Sequence, residues 1–207
     1  VTFIFADEWV DIGSSRPSQP AWNVNSLSES NIEISFDLGG YYLHEVENIG
    51  KTISFPGSVP ILEKGSPELP RMAQSIIIPD VAQMEMTVLE SEFVEIQVDN
   101  IVPSKGNFTR DIDPESIPYV YGKEYETDSW YPRDIAFMRD PYILRSFRGQ
   151  TVVFQPVQYN PIKQLLRVYT SIKVNIQQNG VSQVNVLTRR PQNGEAREFE
   201  YLYQEFD

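Results

Sequence analysis

A chain of 207 residues is ample for one domain with a single buried core and too short for two enzymes in series. Its 17 Lys and Arg against 29 Asp and Glu leave a formal charge of −12, a field that repels nucleic acid and anionic membrane surfaces and favours a basic partner or a basic cleft on one. The absence of cysteine and the single histidine, His44, exclude a thiol nucleophile, a zinc ribbon, an iron–sulfur site and a disulfide framework, and leave at most one member for a histidine-based dyad or metal site.

Residues 1–5 are apolar but lack the basic region and the long apolar stretch of a signal peptide, and no run of about 18 apolar residues offers a membrane span. Residues 11–30 are rich in Ser and Pro and read as a loop or linker. Ile32, Ile34 and Phe36 then alternate with Asn31, Glu33 and Ser35, the period of a half-buried strand. His44 falls in a second strand-like run. Met84, Met86 and Val88 alternate with Gln83, Glu85 and Thr87. Residues 105–131 mix Gly, Pro, acids and aromatics without a period, and a stretch of that length inside a compact domain points to function or disorder. Its aromatics Tyr119, Tyr121, Tyr125, Trp130 and Tyr131 argue against disorder, since such side chains pin a segment to its own domain or to another surface.

Asn160-Pro161, between residues 151–159 and 164–177, marks the best hairpin. Val168, Thr170, Ile172, Val174 and Ile176 give the last alternating run. Phe199, Leu202 and Phe206 lie at helical spacing within 195–206, the one stretch that reads as a helix. Scattered Pro and Gly at turn spacing complete an all-β reading: an antiparallel, jelly-roll-like β-sandwich of about ten strands in two packed sheets. Residues 1–207 form one domain, with 11–30 a loop or linker, 105–131 an irregular functional region and 189–207 a tail.

The candidate sites divide by how much chemistry each pattern demands. His44 has no nucleophile elbow or second histidine beside it, so it reads as a structural or surface residue. Asp111, Asp113 and Glu115 place carboxylates at alternate positions, but the glycine and remaining ligands of a calcium loop are missing, which leaves a solvated acidic loop as the ordinary reading. A glycosidase carboxylate pair is not identifiable from spacing, because its members come from different strands. Arg110 is a single long cation in an acidic loop; by itself it reads as a solvated side chain paired with Asp111 or Asp113. No metal or cofactor is implied.

Several blocks in order resemble the N-terminal prodomain of the gingipain family of cysteine peptidases. They are Gly65-Ser66-Pro67-Glu68-Leu69-Pro70, Ile101-Val102-Pro103-Ser104-Lys105-Gly106 and Pro114-Glu115-Ser116-Ile117-Pro118-Tyr119-Val120-Tyr121-Gly122. Asp140-Pro141-Tyr142-Ile143-Leu144-Arg145, Arg148-Gly149-Gln150 and Gln158-Tyr159-Asn160-Pro161 follow, then Leu166-Arg167-Val168-Tyr169-Thr170. Their order and spacing follow the Arg-specific branch from about Ser54 to Val174.

The resemblance implies a β-sandwich that folds against the catalytic domain of its own precursor and keeps the zymogen latent. It places Arg110 in the primary specificity pocket as a pseudo-substrate, with Phe108, Thr109, Asp111 and Ile112 against neighbouring subsites; Lys-specific relatives carry a lysine in that slot. It implies a non-catalytic chain that also helps its enzyme fold, a precursor that is a cysteine endopeptidase, and passage through the periplasm to the cell surface. Processing is expected at Arg110, Arg189, Arg190 or Arg197. Two readings stay open beside it: a non-inhibitory accessory domain of a secretion-associated relative, and a stand-alone adhesin or carbohydrate-binding module.

Overall fold

The computed structural model describes residues 8–28, 30–46 and 48–188. Its architecture follows from one long strand, β13 (Leu165–Val181), which buries Leu166, Val168, Ile172, Val174 and Ile176 on one face. Alternate positions on the opposite face carry Lys173 and Asn175, which are only partly covered. That two-residue period supplies a dry side and a wet side to a single sheet. The first part of β13 pairs with β12 (Val157–Asn160), and the next part pairs along the same edge with β3 (Asn31–Asp37). β3 carries β2 (Ala21–Ser28) beyond it, and the other edge of β13 is taken by β8 (Ala82–Gln97). All of these pairings are antiparallel.

A second sheet runs β10 (Tyr142–Leu144), β11 (Phe147–Phe154), β7 (Pro70–Ile77) and β6 (Val59–Pro60), with β9 (Ala136–Met138) also on β11. The two sheets meet through aromatic side chains. Phe36 of β3 stacks on Phe154 of β11 with centroids 5.1 Å apart, and Trp22 of β2 stands edge-on to Phe154 at 4.9 Å. A third sheet, β1 (Glu8–Asp11), β4 (Gly40–Val46) and β5 (Gly50–Ser54), adds Tyr41 and Ile53 to the same core. Burial of this continuous apolar cluster, at roughly 25 cal/mol per Å² of apolar surface, is the main stabilising term.

The all-β sandwich is as expected, with thirteen strands among the described residues rather than about ten. The additional strands are short: β6, β9 and β10 span two or three residues each, too few to show a period. The loop expected over 11–30 is corrected: residues 21–28 form β2, an edge strand in which all but Trp22 are exposed and the alternation of Trp22 and Val24 with Asn23 and Asn25 stops at Ser26, too short a run to mark it. The hairpin at Asn160-Pro161 is present as β12–β13, but its first arm is shorter than expected. Residues 151–154 belong to β11 in the opposing sheet, and the chain changes sheets at Gln155-Pro156. The helix expected over 195–206 lies outside the described residues.

One buried cation fastens the periphery. Arg148 of β11 is 1% exposed, and its guanidinium donates to the carbonyls of Pro79, Ala82, Val184 and Asn185 at 2.6–3.0 Å. The segment following β13 is thereby tied to the β7–β8 connection.

Candidate functional site

Three of the blocks singled out in the sequence meet at one place. The Gly65 amide donates to the Ser104 carbonyl at 2.9 Å, the Ser104 amide to Ser66 O at 2.8 Å and the Glu68 amide to Val102 O at 2.9 Å. The Gly122 amide donates to Gly65 O at 2.9 Å, so residues 65–68, 102–104 and 122 form a hydrogen-bonded neck. Gly65 has φ +88°, and a Cβ there would meet the Gly122 backbone and the Val120 carbonyl at 3.4 Å, which explains glycine at this crossing.

Lys105 closes the neck on its outer side. Its ammonium donates to Pro114 O at 2.8 Å and lies 4.3 Å from the centroid of the Tyr119 ring, a cation–π contact. Burial raises the Glu68 carboxyl above its ordinary value, and the nearby Lys105 charge partly opposes that rise. Burial also raises the Tyr119 hydroxyl, helped by the negative charge of Glu68 and by Tyr121. On the far side, the Asp113 carboxylate accepts from the Glu115 amide at 3.0 Å and caps the 3-10 turn η1 (Pro114–Ser116).

Between these anchors residues 107–113 are all exposed. Thr109 O accepts from the Ile112 amide at 3.1 Å, so Arg110 and Asp111 occupy the two central positions of a closed turn at the tip. The Thr109 hydroxyl, and after it the Asp111 backbone amide, hold the Asp111 carboxyl below its ordinary value. Arg110 is exposed at this turn, as are Phe108 and Ile112 on either side of it.

The aromatics of 119–131 fix this region to its own domain. Tyr125 donates to Ile101 O at 2.6 Å, and Tyr131 donates to Glu63 Oε2 at 3.0 Å while its backbone bridges Tyr159. Burial is the first cause raising both hydroxyls. Trp130 lies on Arg167 at 4.0 Å, whose other side meets Phe93 at 4.3 Å. Arg167 also forms an ion pair with Glu95 at 2.7 Å.

The remaining candidates are kept apart. His44, in β4, shares a hydrogen bond of 2.7 Å with the Ser54 hydroxyl and stacks on Tyr42. Asp111 and Asp113 hold their own turns, and among the described residues no three His, Cys, Asp or Glu side chains converge as a metal site. Arg189, Arg190 and Arg197 lie outside the described residues. Sequence reading missed Lys105, Glu68 and Ser104 as the neck. Their signal was membership of the resembling blocks, which pack on one another although they are separated along the chain.

Residues 16–203 match the family model Propeptide_C25. The chain belongs to that family. Among curated proteins it is 36% identical over 170 residues to gingipain R1 of Porphyromonas gingivalis, covering 81% of this chain and 17% of that protein. It is 34% identical over 178 residues to gingipain R2 of the same organism, covering 84% and 24%, and 27% identical over 164 residues to Lys-gingipain, covering 73% and 9%. The chain thus spans no more than about a quarter of the length of these relatives.

Among solved structures, the complex of the P. gingivalis RgpB pro- and mature domains aligns with a TM-score of 0.81 at 33% identity, over 89% of this chain and 94% of that one. A structure addressing the zymogenic latency of gingipain K aligns at 0.72 and 21% identity, over 84% and 100%, and shows the shared fold. The Propeptide_C25 chain is therefore a gingipain-type prodomain with the identities of the Arg-specific branch running ahead of those of the Lys-specific one. Among its described residues no helix is long and apolar enough to cross a membrane.

Proposed function

We propose that this prodomain silences a gingipain-type cysteine peptidase of its own precursor by seating Arg110 in the primary specificity pocket. The observation that carries the reading is the exposed Arg110 at the tip of a closed turn, on a loop clamped at its neck. Anchoring lowers the entropy lost when the loop is captured, the usual basis of a preorganised inhibitor. An acidic pocket can hold the guanidinium through two parallel charge-assisted hydrogen bonds, a geometry that lysine does not reproduce. Phe108, Thr109, Asp111 and Ile112 occupy the neighbouring subsites. Covalent attachment raises the local concentration of the loop to the order of millimolar, so modest intrinsic affinity suffices for latency.

The chain acts without catalytic groups of its own, and the nucleophile belongs to the peptidase domain. Residues 1–207 act as one prodomain that also assists folding of its enzyme, and residues 189–207 lead towards the peptidase, with Arg110, Arg189, Arg190 and Arg197 as the processing candidates. The precursor is exported through the periplasm to the cell surface.

The test is titration of this chain and of Arg110→Ala into the catalytic domain of an Arg-specific gingipain while cleavage of a small arginyl substrate is followed. Loss of a buried arginine anchor costs about 2 kcal/mol, so the variant is expected to inhibit roughly thirtyfold less tightly. Equal inhibition by both chains rules out Arg110 as the anchor.

A further inference from the structure

Apolar side chains that the sandwich leaves in solvent stand on the loop and on the segments at its root. Phe108 and Ile112 flank Arg110, and Ile49, Leu62, Val120 and Tyr121 stand around the neck, each of the six between 37 and 50% exposed. Their proximity is set by backbone contacts. Asn100 Nδ2 donates both to Ile49 O at 2.7 Å and to the Tyr121 hydroxyl at 2.8 Å, bringing the β4–β5 turn against residue 121. The Val120 carbonyl approaches Gly65, and the Lys64 side chain abuts Gly106, so Leu62 and Val120 lie on segments that meet at the root of the loop. Tyr121 is already braced, with its hydroxyl held by Asn100 and its ring edge-on to Tyr125 at 4.7 Å.

Single exposed apolar residues need no explanation, but a cluster contiguous with a recognition element marks an interaction surface. A stable protein–protein contact covers on the order of 800 Å² per partner, more than a single loop tip supplies. Its centre is characteristically apolar and aromatic and depleted in charge, and a side chain held before binding loses little entropy on burial. The four side chains at the root are apolar or aromatic, Tyr121 is held before binding, and their segments join the root of the loop. A relative whose fold aligns with a TM-score of 0.81 at 33% identity was solved as a complex of pro- and mature domains.

We infer that Ile49, Leu62, Val120 and Tyr121 form an apolar collar that seats on the surface of the peptidase domain around its specificity pocket while the loop enters it. The inference rests on the inhibitory reading above, and its occupant is the peptidase catalytic domain.

The test compares Leu62→Ser, Val120→Ser, their double variant, Arg110→Ala and the remote control Val181→Ser, each in the full chain, for inhibition of an Arg-specific gingipain catalytic domain. Melting temperature and sedimentation are followed alongside. With melting unchanged, each single collar variant is expected to weaken inhibition about fivefold and the pair at least tenfold, while Val181→Ser has no effect. Collar variants as neutral as Val181→Ser, with Arg110→Ala impaired, overturn the collar and leave the loop reading intact. Impaired collar variants beside a neutral Arg110→Ala support the collar and sink the pseudo-substrate reading. A dimer that Leu62→Ser dissociates without changing inhibition assigns the patch to self-association and overturns the collar, as does a wild-type chain that fails to inhibit.

Discussion

At the scale of single residues, the loop tip depends on Asp111 as well as on Arg110. Its carboxyl is held below the ordinary carboxylate value by the Thr109 hydroxyl first and by its own backbone amide second. A group whose folded value is depressed contributes stability that is present above the unfolded value and is lost as the pH falls through the folded one. The contribution of the Asp111 carboxylate to the loop tip is therefore expected to be complete at neutral pH and to be lost only in acid, as the pH falls through its lowered folded value. Thr109→Val removes the hydroxyl while keeping the shape, and should raise the Asp111 value towards that of an ordinary aspartate. A carboxyl-carbon NMR titration of both chains checks this; coincident titration curves would sink the assignment of the shift to Thr109. At the neck, Gly65→Ala forces a side chain into φ +88° and against the Gly122 backbone and the Val120 carbonyl, so it should lower stability by about 1 kcal/mol or more in a denaturant titration. A variant as stable as the parent would show that this crossing tolerates a Cβ.

At the scale of elements, β13 organises the fold, and Ile172 on it is fully buried, with Phe36 of β3 and Ser91 of β8 as its cross-strand partners. Ile172→Ala should cost about 2–5 kcal/mol in denaturant titration, whereas Val88→Ala on the exposed part of β8 should change stability little. Similar losses from the two would contradict the inner face assigned to β13. The strands legible in the sequence were those with one dry face: Ile32, Ile34 and Phe36 alternate because their neighbours reach water. β2 was illegible because its alternation, Trp22 and Val24 against Asn23 and Asn25, stops at Ser26 and the rest of this edge strand is exposed. The distal half of β8 misleads in the opposite sense, since Val88, Leu89, Phe93 and Val94 are apolar yet exposed beyond the cover of the second sheet. The position of the irregular loop was readable from its Gly, Pro and acids, whereas Arg110 was singled out within it through the family resemblance. The neck was not, because Gly65, Ser104 and Gly122 are joined by backbone hydrogen bonds, which leave no trace in residue type apart from the glycine at positive φ.

At the scale of the whole molecule, the segment after β13 has little apolar burial of its own and is held to the sandwich by polar contacts. Arg148 is the centre of those contacts. Its four carbonyl acceptors join the β7–β8 connection to residues 184 and 185, and the Leu187 amide to Asp80 O at 3.0 Å and Asn185 Nδ2 to Pro141 O at 2.7 Å extend the fastening. Burial lowers the guanidinium below its ordinary value and the charge of Asp80 opposes that shift, but arginine remains protonated at any physiological pH. Arg148→Met keeps the length of the stem and leaves the four carbonyls without their donor, which should cost about 3 kcal/mol. The loss should be local first, because residues 182–188 contribute only Leu187 to the buried apolar set, a small share of the core. Limited proteolysis with an enzyme that cuts at aliphatic residues should therefore release fragments from Val184 and Leu187 in the variant well before the sandwich opens. Arg148→Lys, with a charge but no fork to span four acceptors, should fall between the two. Simultaneous cleavage throughout the variant chain would show that Arg148 supports the sandwich as a whole and does not act as a fastening for its last segment.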